Sequence, residues 1–418
     1  MAARADGLLW QKDAPIIRRI DENDVYKIMM MYFIWTYYPN LKVKFGFTNR
    51  TTAVPLSKYV RVDEIREQCE AVAAMRFTDD IIAIYQSWGL FKPEFLSALK
   101  ELRMDMPLIE KNGDTLRIEA EGNWLSTTPW ETQILPIVSE LYARGYAAEH
   151  DISELDLFNE MDRRLSEKID LFKRNLYLRI MQFGLRRRVS GPGEEHVTAR
   201  LLDEVPQVIT GVSNMYLANK YGVEAQGTNA HELVMALVAL ARHIGPNAMC
   251  DTLYTILQQW QELYGHKALI ILDDAYGSDV FRAELPRKYL ESFRGFRHDS
   301  GDPIQYGEDT IALYEKARID PRNKLIIFSD GLNPQRAVDL YQHFAGRIGV
   351  AFGMGTNFTF DVGLIKPLSL VMKIQEAAGN PAVKFSNNLA KAVGDPKEIE
   401  YYKEVFGYTN TFREDVVY

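Results

Sequence analysis

The sequence predicts an α/β protein in which an incomplete α/β barrel lies beside a second, α+β domain. Three observations lead to this prediction. From about residue 178 onward, short apolar runs end in Gly, Ser, Thr or Asp and are then followed by helix-like segments. Before that point, amphipathic helical segments are mixed with strand-like ones. The chain of 418 residues also exceeds the limit of about 250 to 300 residues that one core usually reaches.

The predicted α+β domain begins with residues 1–150. A helix is expected over residues 21–38, because acidic cap-like residues precede an apolar helical face. Apolar and polar residues alternate over 42–48 and predict a strand. The Asn-Gly pair at 112–113 lies between two apolar runs and predicts a β-hairpin. Residues 151–177 are expected to form a connecting helix.

The predicted barrel-like domain covers residues 178–361 and contains seven strand-then-helix units. Their number favours barrel closure over an open sheet, and their polar strand ends all point to one face. The seven units begin within residues 180–184, 208–211, 224–227, 269–273, 294–303, 325–331 and 348–353.

The C-terminal part, residues 362–418, is expected to complete the α+β domain. Residues 368–374 and 383–385 have the composition of strands. A turn at residues 379–381 is predicted to join them.

The composition narrows the class of protein. With 47% hydrophobic and 25% charged residues, the chain is an ordinary globular protein. A net charge of −8 argues against nonspecific binding to nucleic acid. The longest apolar run, residues 28–35, is far shorter than the roughly 18 residues of a membrane helix. Two cysteines and no secretory signal favour a cytoplasmic location, with neither nucleic acid nor membrane as partner.

A polar stretch over residues 294–303 is the first candidate site. It contains Arg297, His298, Asp299 and Asp302, and a helix-like run follows it. Such strand ends bind phosphates and sugars in α/β proteins, because the next helix presents free N–H groups and a positive dipole end. A solvated polar turn is the alternative interpretation.

Three more strand ends carry candidate ligand-binding residues. The two glycines within 353–357 would let backbone N–H groups approach a phosphate, or they form only a tight turn. Asp330 and Gly331 suit the hydroxyls of a ribose, or they cap the following helix. Asp273 and Asp274 could bind a divalent metal, although a helix cap is the favoured interpretation.

Two further segments carry candidate site residues. One has an imidazole, and the other has an aromatic ring followed by cations. His231 lies in the first turn of an apolar helix, where it could act as a base, a ligand or a covalent nucleophile. A hydrogen-bonded structural histidine is the more common case. Phe183 precedes three arginines, which would suit an aromatic ligand with a carboxylate or phosphate. A solvated basic turn is the alternative for at least one of these arginines.

Taken together, these segments resemble the ATP-linked nicotinate phosphoribosyltransferases, a family of type II phosphoribosyltransferases. The resemblance extends along nearly the whole chain, and the order and spacing of the motifs make it specific. The matching segments are Asp24–Lys27, Phe45–Arg50, Phe183–Arg188, Gly211–Asn214, Gly227–Glu232, Arg297–Pro303, Phe328–Asp330, Phe352–Phe358 and Ser386–Lys391.

The resemblance implies transfer of the phosphoribosyl group of 5-phosphoribosyl 1-diphosphate to nicotinate, coupled to ATP hydrolysis with Mg²⁺ as cofactor. It implies that His231 is transiently phosphorylated, with Asp299 and Arg297 as further catalytic residues. It also implies a homodimer with a shared active site, to which a second subunit donates Tyr26. Asp299 and Asp302 are the candidate metal ligands.

The resemblance assigns binding roles as well. The residues implied for nicotinate are Tyr26, Phe183, Arg186, Thr228 and Arg297. The residues implied for the phosphoribosyl group are Asp330, Gly331, Gly353, Gly355, Thr356 and Asn357.

The sequence departs from the family pattern at Leu185 and Val212, where the family commonly has a small hydroxyl residue, and in residues 20–24. Ser213 is a neutral residue beside the site, which favours nicotinate over nicotinamide. The alternatives are a nicotinamide or quinolinate phosphoribosyltransferase, a barrel aldolase or isomerase, and a non-catalytic sugar-phosphate sensor. The aldolase is disfavoured because no Schiff-base lysine follows the central strands.

Overall fold

The structure is a computed structural model that describes residues 8–414. Its helices are α1 Val25–Tyr37, α2 Leu56–Tyr59, α3 Val62–Ala74, α4 Asp79–Ser87, α5 Pro93–Glu101, α6 Trp124–Thr127, α7 Trp130–Glu149, α8 Glu154–Arg174, α9 Gly191–Glu204, α10 Met215–Tyr221, α11 His231–Ala241, α12 Pro246–Tyr264, α13 Ser278–Ala283, α14 Arg287–Ser292, α15 Pro303–Lys316, α16 Pro334–Phe344, α17 Thr356–Thr359 and α18 Pro396–Phe406. Its strands are β1 Lys42–Asn49, β2 Leu108–Asn112, β3 Thr115–Asn123, β4 Ile180–Gln182, β5 Ile209–Val212, β6 Ile270–Leu272, β7 Gly295–His298, β8 Leu325–Phe328, β9 Gly349–Met354, β10 Leu370–Ala377 and β11 Asn380–Pro381.

Six parallel strands form one sheet in the order β5-β4-β9-β8-β7-β6. The first strand of this series, β4, pairs with the last, β9, as the closure of a barrel requires. Within residues 8–414, no hydrogen-bonded pairing joins the two outer strands, β5 and β6. The prediction of an incomplete α/β barrel is therefore confirmed.

One of the seven predicted barrel strands does not form. Residues 224–227 make a single parallel bridge, between Ala225 and Val212, instead of a strand. Gly211 explains the close approach, because a Cβ atom there would lie 2.6 Å from the Glu224 carbonyl oxygen. This segment lies on the β5 side of the opening in the barrel.

The second sheet is antiparallel and has the order β11-β10-β1-β3-β2. The predicted hairpin is β2 and β3, with Gly113 at a φ of 59° in its turn. The expected return of the C-terminal part is also confirmed, because β10 pairs along β1. The prediction for residues 383–385 is wrong, because they form only one bridge, between Lys384 and Val393. Residues 380–381, expected in a turn, are the short strand β11.

Helices α1, α7 and α11 are largely buried and carry few exposed residues. Helices α7 and α11 pack against β10. Because α1 is apolar on nearly every face, it can be covered all round by the core. Helix α8 occupies the region of the predicted connecting helix, and the exact domain boundaries stay a prediction. No helix within residues 8–414 has the combined length and apolar character that crossing a membrane requires.

Candidate active site

A cavity of about 310 Å³ opens at the carboxyl ends of the barrel strands. Loops after β4, β7, β8 and β9 contribute to it, together with α1, the start of α11 and one residue of β10. The lining includes Tyr26, Phe183, Arg186, Thr228, His231, Arg297, Asp299, Gly331, Gly353, Gly355, Thr356 and Asn357. Most of the candidate residues, which are far apart along the chain, therefore meet in one place.

His231 is the first residue of α11 and is buried. Its Nε2 lies 2.5 Å from Asp274 Oδ1, and the other oxygen of Asp274 accepts a hydrogen bond from Ser300 Oγ at 2.5 Å. Burial would raise the Asp274 pKa, but the charges of His231 and Lys384 hold it well below its usual range. Burial lowers the pKa of His231 to about 4, with Asp274 opposing the shift. The imidazole is therefore neutral at pH 7, with its proton on Nε2 and its lone pair on Nδ1.

Asp299 and Arg297 lie beside this imidazole. Asp299 Oδ2 is 3.8 Å from His231 Nδ1, and Asp299 Oδ1 is 3.7 Å from Arg297 Nη2. Burial would raise the pKa of Asp299, but the charges of Arg297 and His231 hold it below its ordinary value. Arg297 Nη1 donates to Thr228 Oγ1 at 2.5 Å and to the carbonyl of Asn229 at 3.0 Å. The guanidinium is thus fixed against the segment that leads into α11.

Two aromatic rings, Tyr26 and Phe183, line the cavity. Tyr26 reaches it from α1 of the same chain, so its place there does not require a second subunit. The Arg186 guanidinium carbon lies 5.6 Å from the Tyr26 ring centroid. Gly353 permits the position of Phe183, because a Cβ atom on this glycine would lie 2.6 Å from the ring. No ring contact within residues 8–414 joins Tyr26 directly to Phe183, although both rings line the same cavity.

An acidic residue also lines the cavity, which the sequence interpretation did not anticipate. Asp24 directly precedes α1 without capping it through its side chain, and its carboxylate accepts a hydrogen bond from Ser213 Oγ at 2.6 Å. Arg186 Nε lies 3.3 Å from the same carboxylate. Burial raises the pKa of Asp24, against the opposing effect of Arg186. Arg186 offsets this negative charge, and Arg297 and Lys373 also line the cavity. The part of the cavity lined by Tyr26 and Phe183 therefore still favours an anion.

Several predicted residues have structural roles instead. Asp302 caps α15 by accepting a hydrogen bond from Gln305 N, and it does not belong to the group of possible metal ligands around His231, so its role as a metal ligand stays a prediction. Asn333, not Asp330, caps α16. Asp273 pairs with Arg282 at 2.6 Å and does not cap a helix.

The three arginines after β4 differ in their surroundings. Arg188 is buried and pairs with Glu22 and Glu194, each at 2.9 Å. Arg186 and Arg187 line the cavity, so none of the three is simply a solvated turn residue. Leu185 and Val212, the departures from the family pattern, are both buried.

The described part of the chain offers one group of side chains that could hold a metal ion: His231, Asp274 and Asp299, whose ligand atoms lie within 4.8 Å of one another. Mg²⁺ prefers oxygen ligands and usually binds through one or two carboxylates together with substrate phosphates. Both oxygens of Asp274 are already engaged by His231 and Ser300. Asp299 is therefore the residue of this group that best fits Mg²⁺, and a second contribution from Asp302 stays a prediction.

Comparison with known proteins identifies the family. Residues 178–410 match the model of the nicotinate phosphoribosyltransferase (NAPRTase) family, and residues 22–139 match the model of its N-terminal domain. The chain belongs to the nicotinate phosphoribosyltransferase family. It is accordingly a phosphoribosyltransferase of NAD biosynthesis.

Solved structures agree with the family models. The crystal structure of nicotinate phosphoribosyltransferase from Porphyromonas gingivalis is 32% identical, with a TM-score of 0.85, and the match covers 94% of this chain and 100% of that one. The crystal structure of nicotinate phosphoribosyltransferase from Vibrio cholerae is 30% identical, also with a TM-score of 0.85. This match covers 98% of this chain and 97% of that one.

A buried ion network connects α1, the helix that carries Tyr26, with α11, the helix that begins at His231. Lys27 Nζ donates to Glu131 Oε2 at 2.8 Å and to Glu232 Oε2 at 2.6 Å. Glu232, which follows His231, also accepts from Trp124 Nε1 at 2.6 Å. Burial alone would lower the pKa of Lys27, but the two glutamates raise it above its ordinary value. The network therefore fixes α1, α7 and the first turn of α11 relative to one another.

Proposed function

We propose that this chain makes nicotinate mononucleotide and diphosphate from nicotinate and 5-phosphoribosyl 1-diphosphate, and that ATP hydrolysis drives the reaction through a phosphohistidine. This reaction places it in the ATP-dependent ligase class. The observation that carries the proposal is the single cavity shared by His231, Arg297, the two aromatic rings and the glycine loop. We further propose that the protein acts in the cytoplasm, and that any homodimer shares its active sites.

Nicotinate is a flat aromatic ring that carries a carboxylate. In our proposal the ring lies between Tyr26 and Phe183, and its carboxylate accepts hydrogen bonds from Arg297, with Thr228 and Arg186 beside it. An arginine suits this task because its planar N–H groups match a carboxylate in two parallel hydrogen bonds. The cations around the cavity support an anionic substrate over neutral nicotinamide.

The phosphoribosyl group would bind along the loops after β8 and β9. Gly353, Gly355, Thr356 and Asn357 would hold the 5′-phosphate, because glycines permit close approach of backbone N–H groups to an anion. Gly331 lines the same cavity and leaves room for the ribose.

Asp330 follows the same strand, and its carboxylate lies 2.5 Å from Lys391 Nζ. Its proposed role near the ribose therefore includes fixing this lysine. Asp299 would hold Mg²⁺ together with the diphosphate, where the bound cation neutralises charge that develops on the leaving group.

The coupling step begins at His231. The Nδ1 lone pair would form a bond to the terminal phosphorus of ATP, while the bond from that phosphorus to the bridging oxygen breaks and its electron pair leaves with ADP. The Nε2 proton stays between His231 and the Asp274 carboxylate, which keeps the imidazole in the required tautomer. Water later attacks the phosphorus, and the electron pair of the P–N bond returns to Nδ1. The phosphoryl charge present between these steps can bias the surrounding loops toward the diphosphate substrate.

Replacing Arg297 tests the substrate assignment. With the unmodified protein, nicotinate should be used in preference to nicotinamide and quinolinate, and ATP should increase the rate. Arg297→Gln should lower kcat/KM for nicotinate by about 30-fold or more, because loss of one partner of a buried charge pair costs about 2–5 kcal/mol. Activity with nicotinamide, which has no carboxylate, should change much less.

Arg294→Gln is the matched control, because Arg294 precedes the opposite end of the same strand, β7. It should leave both activities unchanged. Equal losses for nicotinate and nicotinamide in Arg297→Gln would contradict the proposed carboxylate contact. Preference of the unmodified protein for quinolinate or nicotinamide would contradict the proposed reaction.

A further inference from the structure

The segment 383–393, which we name the C-terminal strap, packs against the loops that carry Asp274 and Ser300, beside His231. The backbone N–H groups of Phe385 and Ser386 donate to the carbonyl of Ala275, the residue after Asp274, at 2.9 and 3.3 Å. Asn387 N donates to Ser300 Oγ at 3.0 Å, and this hydroxyl in turn donates to Asp274. These bonds attach the strap to the imidazole cluster itself.

The strap brings a buried lysine to this cluster. Lys384 is only 4% exposed, and its backbone is fixed by two 2.9 Å hydrogen bonds with Val393. Among residues 8–414, its ammonium group makes no side-chain hydrogen bond and has no carboxylate within 4.0 Å. Burial lowers the pKa of Lys384 to about 8, with Asp274 and Asp299 opposing the shift.

A buried cation without a direct partner destabilises a fold unless a ligand uses it. The neighbouring cations have partners already. Lys391 Nζ donates to the carbonyl of Asp299 at 2.8 Å and pairs with Asp330. Arg297 donates to Thr228 and to the carbonyl of Asn229, and the proposed function assigns it to the nicotinate carboxylate. Lys384 is thus the strap cation that is still available to an incoming anion.

The site needs such a cation when His231 becomes phosphorylated. A phosphoryl group adds about −1.5 to −2 charges and three acceptor oxygens. It would arrive at a buried position beside two carboxylates, Asp274 and Asp299. In the low dielectric of such a site, charge repulsion would strongly oppose phosphorylation unless a positive group were close by.

We propose that Lys384 is the residue that binds the phosphoryl group on His231, through its ammonium group, during transfer from ATP and in the phosphorylated protein. This inference rests on the proposed function, since it needs phosphorylation of His231. The transfer itself is unchanged: the N–P bond forms at Nδ1, the bond to the bridging oxygen breaks, and ADP carries away the electron pair. Lys384 keeps all its protons and contributes only charge and hydrogen bonds.

The test measures incorporation of label from terminally labelled ATP into Lys384→Met and Lys384→Arg. Lys384→Met should reduce the yield of labelled protein about tenfold or more, because charge-assisted hydrogen bonds to the phosphoryl group are lost. Lys384→Arg should recover most of that yield, because it restores the cation. The ligand-free methionine variant should melt at a temperature equal to or above that of the unmodified protein, because an unpartnered buried charge has been removed.

The controls separate failure of this inference from failure of the proposed function. Lys397→Met, an exposed site on α18, should keep the full yield of label. Full labelling of Lys384→Met, while His231→Asn is unlabelled, would overturn the role of Lys384 alone. Absence of label in the unmodified protein would instead overturn the proposed phosphohistidine. Lys384→Gln, which stays polar, provides the same comparison if the methionine variant does not fold.

Discussion

His231→Asn is expected to abolish stimulation by ATP while a slower, ATP-independent transferase activity remains. The asparagine has no nitrogen lone pair that can accept a phosphoryl group, so the covalent route is closed. Its side-chain N–H group can still donate to the Asp274 carboxylate, which limits damage to the site. The ratio of initial rates with and without ATP should fall to about one, since only the uncoupled reaction is left.

His196→Asn is the matched control for this variant. His196 Nε2 lies 2.7 Å from Asp162 Oδ1, so it forms a similar histidine–aspartate pair on α8 and α9, outside the cavity. We expect the control to keep the ATP stimulation of the unmodified protein. Full stimulation in His231→Asn would show that the imidazole is not the phosphoryl acceptor.

Lys27→Met is expected to lower the free energy of unfolding by about 3–5 kcal/mol, because it leaves buried glutamates without their cation. Glu131 and Glu232, its two partners, are almost fully buried. In the variant, Glu131 would keep its ion pair with Lys373 at 3.0 Å and a 3.4 Å hydrogen bond from the Tyr26 hydroxyl. Since Tyr26 and His231 are adjacent to members of this network, the variant should also raise KM for nicotinate. Denaturant unfolding and steady-state kinetics measure the two effects.

An exposed ion pair provides the comparison for Lys27. Lys58 Nζ lies 2.8 Å from Glu149 Oε1, but about half of each side chain is exposed. Solvent-exposed pairs of this kind contribute little to stability. Lys58→Met should therefore leave the unfolding midpoint nearly unchanged. An equally small effect of Lys27→Met would mean that the buried network is not needed for the fold.

The parts of the fold that follow from periodicity and turn chemistry could be predicted from the sequence. The hairpin at Gly113 and the six barrel strands are examples, because alternation and strand-end glycines are local signals. Residues 224–227 could not be predicted in the same way. Whether a short segment pairs along its whole length depends on its neighbour, here Gly211, as well as on its own residues.

The candidate site could be predicted where its residues lie at a strand end, as Arg297 and Asp299 do, or at the start of an apolar helix, as His231 does. The partners of those residues could not, because they come from distant segments. Asp274 was favoured as a helix cap, since sequence alone does not show that His231 faces it across the barrel. Lys384 gave no signal at all, because its importance comes from burial and from the absence of a direct partner within the described residues.

The most direct test of the account is incubation of the unmodified protein with terminally labelled ATP, followed by peptide mapping. We expect label that is labile in acid and stable in base, the behaviour of a P–N bond, on the peptide that contains His231. Label on a different peptide, or no label under conditions in which ATP stimulates the transferase, would contradict it.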